Sequence, residues 1–308
     1  MTTSDPTTSN SDLAGLRKQI DEIDDKLVQL LSERTRIVQQ VGQTKHKSAP
    51  GACPIRSGRE AEMVRRITGK LQNDAFPAAA AAAIWRTIIG ASISVESALS
   101  LSVFVDSTDE SSYWLAREYF GNYLPISRQS QIKRVIGDVM DGKALVGVIP
   151  MLKSTDTTHW WTQLTQLGAD APKIFAYIPF VHHEAPRNDA PACLAIARIT
   201  PEATGDDSSL IMLETDHNVS QHRLQTLFSQ ASLPAQWIQI ATLTAHSRHH
   251  LLQVNGLINA EHAAFKTVLS QLGSNVLNVS YLGAFANPLI LKSNTNKDNH
   301  HAKQANGQ

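Results

Sequence analysis

Apolar residues recur at alternating spacings of three and four along the first part of the chain. Starting from Leu13, these steps reach Leu16, Ile20, Ile23, Leu27, Leu30, Arg34, Ile37 and Val41. The period predicts one helix of about 34 residues whose apolar seam contains an arginine. Two further helices are predicted, from about Ser57 to Leu71 and across the alanine-rich stretch after Pro77, which suits a first helical turn. We therefore expect an all-α domain of three helices over residues 12–100.

The pattern changes near Leu101 to short β-rich runs that alternate with helical ones, such as "LSVFVD", "SSYWLAREYFG" and "ALVGVIPML". Alternation of this kind predicts a small α/β domain with largely parallel strands over residues 101–201. Residues 207–290 follow the order strand, helix, strand, strand, helix, strand. This order predicts a ferredoxin-like α+β unit. The polar residues 291–308 are expected to form a disordered tail.

Composition narrows the possible function. A chain of 308 residues with 42% hydrophobic residues can bury two or three cores. The 28 basic and 28 acidic residues give a formal net charge of +0, which offers no field to attract nucleic acid or an anionic membrane. No signal peptide and no uninterrupted apolar run of about 18 residues is recognised. We expect a cytoplasmic protein without nucleic-acid or membrane partners.

The cysteines and histidines do not predict a metal site. Cys53 and Cys193 are far apart and lack zinc or disulfide spacing; a loop and a strand are predicted for them. Five grouped histidines are predicted to be solvated: His182, His183, His246, His249 and His250. Trp160 and Trp161 are predicted to lie in a core or an interface.

Arg34 requires an opposite charge, because an unpaired buried charge costs several kcal/mol. An interhelical salt bridge or a snorkelling side chain would explain Arg34 taken alone. Lys45, however, is eleven residues on, which places it on the same helix face about 16 Å away. Arg17 borders the seam about 25 Å from Arg34. One small ligand could contact both arginines only if the helix paired antiparallel with a second copy.

The third helix repeats the anomaly. Its apolar stripe contains Ser92 and Glu96 at positions i and i+4. Arg59 and Glu60 open the second helix, where a solvated helix start is the simpler explanation. Together with Arg34, these groups predict a dry pocket for a small dianion. Such a pocket would act by orientation and electrostatics, without a metal or cofactor.

The segments "LRKQIDEIDDKLVQLLSERTRIVQQVGQTK", "PIRSGREAE" and "IWRTIIGASISVES" resemble the all-α chorismate mutases, especially those at the N-terminus of chorismate mutase and prephenate dehydratase fusions. The resemblance covers residues 13 to about 97. It implies an intertwined homodimer with antiparallel long helices and shared active sites. It also implies rearrangement of chorismate to prephenate, in phenylalanine and tyrosine biosynthesis, without a cofactor.

The resemblance further implies roles for the charged residues. Arg17 of a second copy and Arg34 would bind the two carboxylates of chorismate, and Lys45 would donate to the ether oxygen as its bond breaks. Arg59 would add positive field, and Glu60 would accept from the ring hydroxyl.

The resemblance also implies roles for two residues of the third helix. Ser92 would help to hold a carboxylate, and Glu96 stands where bacterial members commonly carry glutamine facing the ether oxygen. An ionised carboxylate cannot donate a hydrogen bond, so Glu96 would have to be protonated to work. Arg56 stands where members often carry aspartate.

The rest of the chain resembles the first lobe of a prephenate dehydratase followed by an ACT regulatory domain. The dehydratase motifs are replaced by "PMLKST" and "PACLAIARI", so a non-catalytic relic is expected. In the ACT-like domain, whose usual ligand is an amino acid such as phenylalanine or tyrosine, the binding motifs are replaced by "NVSQHRL" and "ATLTAHSR". Two alternatives to a mutase with regulatory domains remain: a bifunctional mutase and dehydratase, and a non-catalytic protein that senses an aromatic amino acid or a partner enzyme.

Overall fold

A computed structural model of the chain describes residues 6–48, 53–152, 156, 158–182 and 190–291. The side chains of residues 6–11, 45, 46, 48 and 169 lie outside this description. So do His183 and the predicted tail from residue 292 onward.

The α-helices in this part of the chain are Pro6–Ser48 (α1), Ser57–Lys70 (α2), Ala78–Glu96 (α3), Ser111–Phe120 (α4), Ile132–Met140 (α5), Trp161–Gln166 (α6), Gln221–Gln230 (α7) and Ala263–Leu272 (α8). The β-strands are Leu101–Phe104 (β1), Ile126–Gln129 (β2), Val146–Pro150 (β3), Lys173–Ile178 (β4), Val181–His182 (β5), Cys193–Ala197 (β6), Asp207–Asp216 (β7), Ala235–Thr244 (β8), Ser247–Asn255 (β9), Val276–Ala286 (β10) and Leu289–Ile290 (β11).

The first helix is longer than its apolar pattern predicts. α1 has 43 residues and begins at Pro6, a residue type that suits the first helical position because its missing N–H would be unpaired there in any case. α1 packs against α3. Within one chain the apolar side chains of the seam remain between 43% and 60% exposed. One chain therefore leaves most of this helix uncovered.

α3 is the core helix of the three. It packs against α1, α2 and α4, and it touches the α/β region where a Cβ added at Gly90 would lie 2.0 Å from the carbonyl oxygen of Phe120. Such close approach of two backbones is possible only for glycine. The α/β region is therefore seated directly on the helical unit.

Among the described residues, α3 is the one helix long and apolar enough to cross a membrane by length and composition. It is not an uninterrupted apolar run, because charged and polar residues break the stretch. Arg86 lies near its middle, and that side chain is 6% exposed and bonded to protein groups.

One sheet of nine described strands runs through the remainder, in the order β2-β1-β3-β6-β4-β10-β7-β9-β8. β2, β1 and β3 are parallel, and β6 runs antiparallel to both β3 and β4. The predicted largely parallel layer thus contains one reversed strand.

The sheet continues into the last unit through β10. The strands of this unit lie in the order β10-β7-β9-β8, with α7 after β7 and α8 after β9, which is the predicted β-α-β-β-α-β arrangement. β10 pairs with β4 at Gly283, which has φ +143 and whose added Cβ would lie 2.2 Å from the Ile174 carbonyl oxygen. Glycine permits both this conformation and this approach. The two predicted β-containing units therefore share one sheet.

The prediction of solvated histidines is wrong for His249 and His250, which are 8% and 1% exposed. Both faces of β9 are covered: His249 lies beside Trp161 on one face, and Leu252 on the other face packs among residues of α7 and α8. His250 Nε2 lies 3.2 Å from Thr215 Oγ1. A strand covered on both sides buries consecutive residues, so polar residue type alone did not indicate exposure.

Candidate functional site

The Arg34 side chain extends from α1 toward α3, where its Nη1 donates a hydrogen bond to the hydroxyl of Ser92. Burial, and secondly the nearby positive charge of Arg59, lower the pKa of Arg34 from its usual value. No carboxylate of the described residues forms an ion pair with Arg34. The structure thus brings Arg34 and Ser92, two predicted binding residues, together and places a second positive group, Arg59, close to them. An anion would relieve the repulsion between the two guanidinium groups.

The Ser92 hydroxyl both accepts and donates a hydrogen bond within the protein. It accepts from Arg34 and donates to the carbonyl oxygen of Ile88, one turn earlier on α3, at 2.7 Å. In this arrangement Ser92 orients the Arg34 guanidinium. A hydroxyl that already donates to Ile88 would contact a substrate carboxylate only after rotating.

Glu96 lies one turn beyond Ser92 on α3, where its side chain contacts α1. A Cβ added at Gly42 of α1 would lie 3.2 Å from Cγ of Glu96. Glu96 is half-buried beneath α1. The glycine therefore makes room for the Glu96 side chain on the same α1–α3 interface that carries Arg34 and Ser92.

The other two predicted cations of α1 lie on either side of Arg34 along the helix, Arg17 before it and Lys45 after it. Lys45 belongs to α1 three residues after Gly42, and its side chain lies outside the described residues. Arg17 is exposed and about 25 Å from Arg34 by the rise of the helix. Within one chain, Arg17 does not reach the group around Arg34.

Glu60 has a different environment from Arg59, its neighbour in sequence. Arg59 is exposed on the first turn of α2, whereas Glu60 is 8% exposed. Glu60 Oε1 accepts from the backbone N–H of Arg56 at 3.3 Å, and Oε2 accepts from Arg86 Nη1 at 3.3 Å. Burial raises the pKa of Glu60, and the charge of Arg86 opposes this effect. Both carboxylate oxygens are therefore engaged by protein groups rather than directed to Arg34.

Arg86 is a buried charged residue that the sequence prediction missed. Its guanidinium carbon lies 4.1 Å from the ring centre of Tyr119 and 5.1 Å from that of Phe180, both in the α/β region. Burial raises the pKa of Tyr119 to about 12, although Arg86 acts in the opposite direction. Arg86 and Glu60 thus join the helical unit to the α/β region.

This arrangement suits the binding of a small anion and the electrostatic stabilisation of charge on it. Arg34 and Arg59 supply positive charge, Ser92 fixes a guanidinium, and Glu96 supplies a carboxyl group on the same interface. The part of the chain that the structure describes contains no cluster of three His, Cys, Asp or Glu residues suited to a metal ion. The groups present can orient a ligand and stabilise developing charge.

Comparison with known proteins identifies the helical unit. Residues 16–97 match the family described as Chorismate mutase type II. A bifunctional chorismate mutase/prephenate dehydratase of Aquifex aeolicus is 30% identical over 141 residues, which are 46% of this chain and 39% of that protein. The corresponding protein of Pseudomonas aeruginosa is 29% identical over 151 residues, which are 47% of this chain and 40% of that protein. The predicted similarity of the helical unit to chorismate mutases is therefore confirmed.

The matched part of the chain spans about two fifths of the length of these curated relatives. Among solved structures, a prephenate dehydratase from Streptococcus mutans is similar with a TM-score of 0.47 and 13% identity. That similarity covers 62% of this chain and 100% of the other.

Proposed function

We propose that this protein is a chorismate mutase, which rearranges chorismate to prephenate in its helical unit. The observation that carries the proposal is the Arg34–Ser92 contact between α1 and α3, with Arg59 nearby, inside a region that matches the chorismate mutase type II family. Chorismate carries two carboxylates, which suits a site rich in guanidinium groups.

The reaction breaks an ether C–O bond and forms a C–C bond within one molecule. It therefore requires no nucleophile, and a site can accelerate it by holding the reactive conformation and stabilising charge on the ether oxygen. Arg34 would bind a carboxylate in the geometry that Ser92 fixes. Lys45 and protonated Glu96 would donate to the ether oxygen, and Arg59 would add positive field.

A second copy of the chain would complete this site. The seam of α1 is exposed along its length in one chain, as are Val28 and Leu31 beside it. Burying such a stripe against an identical helix is strongly favourable. Antiparallel pairing would bring Arg17 of the second copy toward Arg34, where it would bind the other carboxylate.

We also propose that the unit from β7 to β10 is an ACT-like regulatory domain that responds to phenylalanine or tyrosine. Its strand order and its two helices support this proposal. Mutase rates measured with and without each amino acid test it. Dehydratase activity is not part of the proposal, because β6, where the dehydratase motif would fall, consists of the buried, uncharged residues Cys193–Ala197.

The main test is to follow the loss of chorismate and the appearance of prephenate with purified protein. We expect Arg34→Ala to lower kcat/KM by at least about 100-fold, because it removes a charge-assisted contact with the reacting anion. Arg36→Ala is the matched control, since it removes an exposed charge from the same helix, and it should change kcat/KM less than about twofold.

The outcomes separate the alternatives. No turnover by the unaltered protein would contradict the mutase proposal and favour a binding protein built on the same helices. Turnover that Arg34→Ala leaves intact would place the active site elsewhere.

A further inference from the structure

The second helix is held by the segment that leads into the C-terminal unit. α2 carries Arg59 in its first turn, and residues 202–206, here called the connector, precede β7. The connector contacts α2 at two places, one in the first turn of the helix and one about two turns later.

The first contact surrounds Gly58, the residue before Arg59. A Cβ added at Gly58 would lie 2.9 Å from the carbonyl oxygen of Ala203 and 3.1 Å from Cβ of Glu202. Arg56, just before the helix, forms an ion pair with Glu202. The position at which chorismate mutases resembling this chain often carry aspartate is therefore occupied here by a basic residue that binds the connector.

The second contact is made by Arg65. Its Nη1 donates to the carbonyl oxygen of Thr204 at 2.9 Å and to the Thr204 hydroxyl at 3.1 Å. Its Nη2 donates to the carbonyl oxygen of Asp206 at 3.0 Å and lies 3.5 Å from that of Asn287. One guanidinium thus binds groups at the start and at the end of the C-terminal unit.

These acceptors are themselves joined. The backbone N–H of Asn287 donates to the Asp206 carbonyl oxygen at 2.9 Å, and the Asn287 side-chain amide donates to the Asp206 carboxylate at 2.6 Å. Ser208 of β7 donates to the side-chain oxygen of Asn287 at 2.7 Å. Hydrogen bonds therefore join the start of β7 to the end of β10, and Arg65 attaches α2 to this junction.

We propose that the connector is a positioning element for the mutase site, with Gly58, Glu202 and Arg65 as positioning residues that set Arg59 relative to Arg34. This inference rests on the proposed mutase function. Gly58 and Arg65 are about 10 Å apart along α2, and Arg59 lies between them. A displacement of the connector would shift this part of α2 and with it the positive charge beside Arg34. The C-terminal unit would thereby influence chorismate binding without contacting the ligand.

The central experiment compares two substitutions on α2. Gly58→Ala places a methyl group against the backbone of Ala203, which must move, whereas a Cβ at Gly69 meets nothing within 4 Å. Both changes favour the helix, so neither should unfold α2. We expect Gly58→Ala to raise KM for chorismate about tenfold, since a small misplacement of a binding group has a large effect. Gly69→Ala should leave KM within about twofold.

A double-variant cycle distinguishes positioning from general support of the fold. In an Arg59→Gln background, adding Gly58→Ala should raise KM less than about twofold, because the group that the connector positions is already gone. A full tenfold increase in that background would overturn the proposal. Arg65→Lys keeps the charge but cannot reach all the acceptors, and it should repeat the behaviour of Gly58→Ala.

Amide hydrogen exchange supplies a readout that does not depend on activity. Backbone amides of residues 60–64 should exchange at least about tenfold faster in Gly58→Ala than in Gly69→Ala, with α8 unchanged. Equal exchange in the two variants would overturn the proposal, even if the unaltered protein converts chorismate. An exchange difference between the two variants, combined with no turnover by the unaltered protein, would instead contradict the mutase function, and the positioning role with it.

Discussion

Glu60 and Arg86 form an ion pair, with 3.3 Å between Oε2 and Nη1, that is buried where the helical unit meets the α/β region. Glu60 belongs to the first turn of α2, beside the exposed Arg59 of the proposed mutase site. We therefore expect the pair to help to place that site as well as to join the two regions.

Removing the charge of Glu60 should destabilise the folded protein. Glu60→Gln leaves the Arg86 guanidinium buried without a counter-charge, and we expect a loss of about 3 kcal/mol in the free energy of unfolding. Glu261→Gln is the control: it removes one partner of the exposed Glu261–Lys266 pair and should leave the stability nearly unchanged. Urea denaturation of both variants measures the difference. Similar small effects would show that the Glu60–Arg86 pair is solvated.

The tight contact between Gly42 and Glu96 should have a measurable effect on mutase activity. Gly42→Ala adds a methyl group 3.2 Å from Glu96 Cγ, so we expect mutase activity to fall about fivefold as Glu96 is displaced. Gly137→Ala in α5 meets nothing within 4 Å and should raise the free energy of unfolding by about 0.5 to 1 kcal/mol without changing activity. Steady-state kinetics and urea denaturation test both. Full activity in Gly42→Ala would indicate that Glu96 does not need this placement.

Glutamine at position 96 should support the reaction. An amide donates a hydrogen bond to an ether oxygen, as the proposed role of Glu96 requires, whereas alanine cannot donate. We therefore expect Glu96→Gln to retain the mutase activity and Glu96→Ala to lower kcat/KM about tenfold. Steady-state kinetics of both variants and the unaltered protein make the comparison. Full activity in Glu96→Ala would remove Glu96 from the proposed donors.

His250 should make the folded state sensitive to acid. Burial, followed by the charges of Arg248 and His249, lowers the pKa of His250 to about 4 from 6.5. Because the unfolded chain binds this proton more readily, stability should be full above pH 6.5 and should fall as the pH decreases toward 4. We expect this group to account for a loss of about 2 kcal/mol over that interval.

The variant His250→Gln, with an uncharged amide facing Thr215, isolates this contribution. Urea denaturation between pH 4 and 7.5 should show a shallower acid loss in the variant than in the unaltered protein. Parallel curves would mean that His250 accepts a proton freely in the folded state.

Local sequence patterns predicted the helices and the order of elements well. The seam of α1 and the alanine-rich start of α3 are strong helix signals, and alternating β-rich runs marked the later strands. The same patterns did not predict that β10 would pair with β4, since the only local sign is the single glycine at position 283. They also missed the burial of His249, because the α6 segment that covers it comes from elsewhere in the chain.

Local patterns also predicted some residues of the candidate site and missed those that depend on packing between distant segments. A charged residue at a core position identified Arg34, and the structure places its guanidinium against Ser92. Arg86 carries the same signal, since it stands in the buried series Ala82, Arg86, Ile89 and Ile93, but the stripe predicted from the sequence is the neighbouring one, with Ser92 and Glu96. The partner of Glu60 depended on how α3 packs against the α/β region, which no local pattern specifies.

The place of β10 in the sheet has a consequence for synthesis of the protein. β10 is among the last strands in sequence, yet it lies between β4 and β7 and holds the two halves of the sheet together. During translation, about a hundred residues must be made after β4 ends at Ile178 before β10, its neighbour on the side away from β6, begins at Val276. Until then its edge is open to other chains. The nascent protein should therefore depend on chaperones until the last strands are made, and a frameshift shortly before residue 276 should yield an aggregating product rather than a smaller mutase.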